Sequence, residues 1–172
     1  MNRRRRIGIS LYAGLLFTVL GLLAWATGQP FIFPSLGPSA FILAFERRGN
    51  RTDSYRIVGS HLIGGLAGLV AYLTIAGDVS LTSIPPALSM EGLRFTLSAV
   101  ISMVLTSWGM IATDWIHAPA CATTLIVSLG LLSTPVAVAT IVVSIAILVA
   151  FHTGTLLLFD RLVGTAGSTT PT

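Results

Sequence analysis

Two stretches of this chain gather the residue types that hold small charged solutes: Pro34-Ser-Leu-Gly-Pro-Ser39 and His117-Ala-Pro-Ala-Cys-Ala-Thr-Thr124. In each, a proline stands between small residues at the opening of a short apolar run. Proline lacks a backbone N–H and is pre-set for the first turn of a helix, so Pro38 and Pro119 read as helix starts. The small neighbours Gly37, Ser39, Ala118 and Ala120 leave the first-turn amides uncovered. A helix N-terminus carries about half a positive charge and attracts anions. Ser35, Ser39, Thr123 and Thr124 add hydroxyl donors, and His117 opens the second segment. His61 lies inside an apolar run, where an ionisable group is a functional hypothesis by default. The chemistry this set supports is capture of a small anion beside a titratable imidazole. The plainer alternative is a pair of kinked packing helices, because Gly and Pro are frequent in membrane spans.

Other chemistries fit the residues less well. A metal site would have to draw on His61, Asp114, His117 and Cys121, without a Cys pair or repeated His spacing. No Ser/His/Asp, HExxH or nucleotide-loop pattern points to an enzyme, and no cofactor is expected. The lone Cys121 reads as a small residue in a packed helix. A scaffold whose polar stripes bind only partner helices stays open.

The elements that must position these residues are membrane spans. Of the 172 residues, 53% are apolar and 9% charged, against roughly 25% charged in a soluble domain. Every basic residue is Arg, and the arginines lie in short patches beside apolar runs, so nucleic-acid binding is not expected. The N-terminal run after Arg3–Arg6 is longer than a signal-peptide core and reads as an uncleaved first span.

Long apolar runs cover about Ile7–Thr27, Ile57–Ala76, Phe95–Thr113 and Pro135–Phe159. The two short segments complete a crossing only with extended residues ahead of them, such as Phe31–Phe33. If both cross, the chain spans six times. Arg3–Arg6, the 46–56 loop with Arg47, Arg48, Arg51 and Arg56, and Arg161 then share one side. The 77–92 loop, with Asp78, Glu91 and no Arg, lies opposite, and only Arg94 falls against the pattern. The positive-inside rule makes the arginine side cytoplasmic, with both termini there, as in a bacterial inner membrane protein.

The expected fold is thus an all-α polytopic membrane protein whose six segments form two inverted span–broken span–span repeats, about 7–76 and 93–159. One membrane domain covers 1–163, and 164–172 reads as a disordered tail. So small a bundle is compatible with a homodimer or trimer. Within it, Gly64 and Gly68 form a GxxxG beside His61, and Ser98, Ser102, Thr106, Gly109 and Thr113 form a small polar stripe. Both read as helix interfaces. Thr140, Ser144, His152 and Thr155 make a looser stripe, and His152 reads as interfacial.

The chain resembles the HPP family of small integral membrane proteins, named for a His-Pro-Pro motif and associated with nitrite transport in cyanobacteria and chloroplasts. The likeness rests on Phe33-Pro-Ser-Leu-Gly-Pro-Ser-Ala-Phe41, Arg56-Ile-Val-Gly-Ser-His-Leu-Ile-Gly-Gly65 and His117-Ala-Pro-Ala-Cys-Ala-Thr-Thr-Leu125. Family members run close to His-Pro-Pro-Gly-Gly-Ala-Thr-Ala-Leu at the last element. Here Ala118 stands for the first proline and Ala120-Cys121 for the glycine pair. The resemblance implies an anion carrier or channel, with nitrite the first candidate. Its movement is expected to be passive or proton-coupled, because an imidazole that titrates near neutrality can couple a proton to the anion.

Overall fold

The structure, a computed structural model, describes residues 3–166 except 48, 50, 51 and 78. The expectations placed on Arg48, Arg51, Asp78 and the last six residues therefore lie outside the described residues. Among those described, all regular structure is helical: α1 (Arg3–Thr27), α2 (Leu36–Glu46), α3 (Ser54–Ala71, prolonged by a π-helical turn Tyr72–Ala76), α4 (Met90–Thr113), α5 (Ala120–Ser128) and α6 (Pro135–Ala166). Four helices, α1, α3 with its π turn, α4 and α6, are long and apolar enough to cross a membrane.

Local sequence sets the helix ends. Ser89 caps α4, its hydroxyl accepting from Gly92 N at 3.0 Å, and Glu91 in the first turn suits the positive end of the helix. At the other end Asp114 adopts the left-handed conformation (φ 57°) while Trp115 N reaches back to Met110 O at 3.0 Å. That reverse bond satisfies carbonyls the helix would otherwise strand. α6 opens with Thr134 accepting from Ala137 N at 3.1 Å and Pro135 in the first helical position.

Two expectations need correction. α2 begins at Leu36 and not at Pro38. A first-turn amide has no intrahelical acceptor anyway, so a proline fits anywhere in that turn. α6 runs on to Ala166, three residues into the expected tail, because an established helix adds residues at little cost even without apolar surface to bury.

Because lipid is as apolar as leucine, these helices associate by close packing. α3 is the hub, touching α4, α5 and α6, and its glycines set the distances. A Cβ at Gly64 would lie 2.7 Å from Ala120 O, and one at Gly68 2.7 Å from Thr124 O, so α5 lies backbone-to-backbone on α3. Gly65 leaves the same room for Val138 of α6, and Gly59 for the Trp115 ring. The remaining contacts join α1 to α2, α4 to α5, and α6 to both α1 and α2. The buried aliphatic core runs through Leu16, Leu20, Leu36, Leu43, Ile57, Ile141, Ile145 and Leu148. Leu11, Trp25, Leu73, Trp108 and Ile111 point outward, an apolar surface suited to lipid.

Side-chain ties fasten both ends. At one, Arg56 donates to Asp114 O (2.6 Å) and Asp114 Oδ2 (2.8 Å). There also Nε2 of His152 meets Arg47 O at 3.0 Å, which requires Nε2 to carry the proton. Nδ1 then accepts from the Tyr12 hydroxyl at 3.0 Å, so His152 joins α1, α6 and the end of α2. At the other end, Leu81 N donates to Leu129 O (2.9 Å), Ser80 Oγ to Gly130 O (3.0 Å) and Arg94 Nε to Ile75 O (2.8 Å).

Candidate anion site between the two halves

The openings of α2 and α5 meet in the middle of the molecule. Ser39, in the first turn of α2, places its Oγ 3.1 Å from His61 Nε2 and 3.0 Å from His117 Nε2. It also lies 3.3 Å from the carbonyl of Ser35, one turn back. His61 comes from α3, and its Nδ1 lies 2.7 Å from Thr123 Oγ1 on α5. The two imidazole rings stand 5.5 Å apart at 51°. Ser39, His61 and Thr123 are fully buried and His117 is 2% exposed, so the cluster is closed on all sides.

Each member is held by its element. Residues 114–119, two turns joined by three residues without regular structure, carry the chain from the end of α4 to α5, and His117 stands two residues before the capping Pro119. Ser60, beside His61, donates to Trp115 O at 2.6 Å and fixes that connection against α3. Gly64 and Gly68 bring α5 close enough for Thr123 to reach His61. Ser35 is the capping residue of α2, yet its hydroxyl bonds no backbone amide and is buried without a partner. A native structure rarely leaves such a group unsatisfied, and a ligand is one explanation.

Of the residues singled out in the sequence, Ser39, His61, His117 and Thr123 thus form one hydrogen-bonded chain, with Ser35 attached through its carbonyl. Thr124 turns the other way, to Thr106 of α4 at 2.8 Å. Gly37 is half-buried with open space around it, and Pro38 is exposed. Pro119 and Ala120 are buried, but the amides of Ala120, Cys121 and Ala122 already donate to the carbonyls of residues 117–119 at 2.9–3.1 Å. The expectation of uncovered amides at the opening of α5 is therefore corrected: a tight turn with i→i+3 bonds uses them, as helix ends commonly do.

The metal alternative loses its geometry. Asp114 is engaged by Arg56, and among the described residues no three His, Cys, Asp or Glu side chains come together. Residues that sequence reasoning left out are Trp115, whose carbonyl and ring buttress α3, and Tyr12, the partner of His152. A lone aromatic gives no spacing signal for either role. The stripe on α4 is an interface from Ser98 to Gly109, with Ser98 donating to Ser128 O at 3.0 Å and Gly109 facing Ile63, while Thr113 is exposed and bonds carbonyls of its own helix.

A model of the HPP transmembrane region matches residues 2–166, nearly the whole chain. The chain belongs to the HPP family. No curated protein and no solved structure matches it. The departures of this HPP chain from the family motif fall at different depths. Ala118 is exposed, where the loss of a proline disturbs little, whereas Ala120 is buried against Gly64 and Cys121 is half-buried.

Proposed function

We propose that this HPP protein carries a small inorganic anion across the membrane without transforming it, nitrite being the first candidate. The observation that carries the reading is the convergence of both imidazole Nε2 atoms on the Ser39 hydroxyl, where a broken helix from each half of the chain opens. Solute sites of small transporters lie at such junctions of discontinuous helices. The bound anion faces the uncapped start of α2, with Ser35, Ser39, His61, His117 and Thr123 around it.

The proposed architecture is six crossings in two inverted repeats. The packing supports it: exchanging α1 with α4, α2 with α5 and α3 with α6 converts every helix contact described above into another of the set. α2 and α5 cover only about 16 and 14 Å as helix, and the non-helical residues ahead of each supply the rest. Arg56 and Arg47 share one end of the bundle while Arg94 sits at the other, which supports a cytoplasmic arginine-rich end. That orientation puts both termini in the cytoplasm of a cell whose inner membrane holds the protein.

Reconstitution in liposomes tests the reading. Saturable nitrite entry above protein-free vesicles, lost in a folded His117→Ala variant, is the expected result. Entry no faster than in empty vesicles, or undiminished in the variant, refutes the nitrite assignment or the site respectively.

A further inference from the structure

The hydrogen atoms of the buried cluster can be counted. A serine hydroxyl has one proton to donate and two lone pairs. Around Ser39 Oγ stand two imidazole nitrogens and the Ser35 carbonyl, which only accepts. If Ser39 donates to Ser35 O, both rings carry their proton on Nε2 and donate to Ser39, and Thr123 donates to His61 Nδ1. Every bond then closes with both rings neutral. His61 is saturated, with one nitrogen on Ser39 and the other on Thr123. His117 is not: its Nε2 is engaged, while its Nδ1 has no hydrogen-bond partner among the described residues.

The charged groups stand elsewhere. On α2 the carboxylate is Glu46, at the far end of the helix beside Arg47. On α3 the charged group is the Arg56 guanidinium, held by Asp114. On α4 Glu91 and Arg94 lie in the first turns, at the opposite end from the 114–119 connection. α5 offers only Cys121; α1 carries Arg3–Arg6 at its start and α6 Asp160 and Arg161 near its end, and between those ends the two helices hold Tyr12 and His152, bonded to each other. A proton added to this buried site has no counter-charge, and an anion added alone has only the partial positive charge at the start of α2. Charge buried without its opposite is strongly disfavoured.

We infer that the site loads its anion together with one proton, so that transport is electroneutral. The proton goes from solvent to His117 Nδ1, which changes from a lone pair to a donor facing the anion, and it leaves to solvent with the anion on the other side. His61 stays neutral, and Ser39 positions the two rings so that one proton and not two is taken. This inference rests on the anion reading above.

The test is nitrite binding to the purified full-length protein in detergent at neutral pH, in weakly buffered solution with a pH indicator. Uptake of one proton per nitrite bound is expected, with His117→Gln removing the proton uptake. Binding with no proton, or with two, overturns the inference and leaves the anion site standing. A protein that binds no nitrite overturns the anion reading and this inference with it. In vesicles, a 59 mV potassium diffusion potential shifts a bare monovalent anion about tenfold at equilibrium. It should leave the protein-dependent initial rate of nitrite entry unchanged, whereas a severalfold change would overturn electroneutrality.

Discussion

Ser39 does the work of a carbonyl and an amide at once, and its neighbours depend on that. Replacing it with Ala leaves two buried imidazole nitrogens without their shared oxygen. An unsatisfied buried polar group costs about 1–3 kcal/mol. Ser39→Ala should therefore lower the midpoint of thermal unfolding in detergent and abolish nitrite entry, whereas a scaffold role would leave no transport to lose. Tyr12→Phe removes the hydroxyl bonded to His152 and Thr155, away from the Ser39 cluster, and should cost about 1 kcal/mol with transport kept. Equal loss of transport in both variants would argue that the cluster is merely structural. At this scale the sequence was informative where chemistry is rare. Two of three histidines, with a serine and a threonine from the broken segments, were legible because polar groups inside an apolar run need partners. Which polar group meets which was not, since Thr123 and Thr124 are equivalent in sequence and only the angle of α5 on α3 separates them.

The packing of α5 on α3 depends on the absence of side chains. Gly64→Ala would put a methyl group 2.7 Å from a backbone oxygen that a tight turn holds in place. Gly154, by contrast, has nothing within 4 Å of a Cβ. We expect Gly64→Ala to lose about 1–3 kcal/mol through overpacking. Gly154→Ala should gain up to about 1 kcal/mol through helix propensity. Thermal unfolding of the two variants side by side checks both signs. The long helices were legible within a few residues because twenty apolar residues leave few alternatives to a span. The starts of α2 and α5 were less so, because Pro can stand at several places in a first turn. The π turn at Tyr72–Ala76 was not legible at all, since a single extra residue in a helix leaves no mark on composition.

For the molecule as a whole, the six-crossing reading makes a labelling prediction. In a background with Cys121 replaced by Ser, a cysteine introduced at Thr52 should react with an impermeant thiol reagent only from the cytoplasmic side. One introduced at Ser83 should react only from the opposite side. Labelling of both from one face would remove one crossing and with it the inverted pairing. The arginine distribution carried this reading in the sequence, while the exchange symmetry of the helix contacts emerges only in three dimensions, because the two halves share a packing plan and little residue identity.

The contacts also divide the molecule into parts of unequal stiffness. α3, α4, α5 and α6 form a continuous block, with α5 stapled at one end by Leu81 and Ser80 and its lead-in strapped at the other by Ser60. The α1–α2 pair leans on that block through α6, the His152 tie and the hydroxyl of Ser39. The seam between the pair and the block runs along α2, where the apolar core fills it and the Ser39 hydroxyl bonds across it to both histidines. A rotation of α1 and α2 about α6 would break the two bonds to the histidines and shear the buried contacts of Leu16, Leu20, Leu36 and Leu43 with Ile57, Ile141, Ile145 and Leu148.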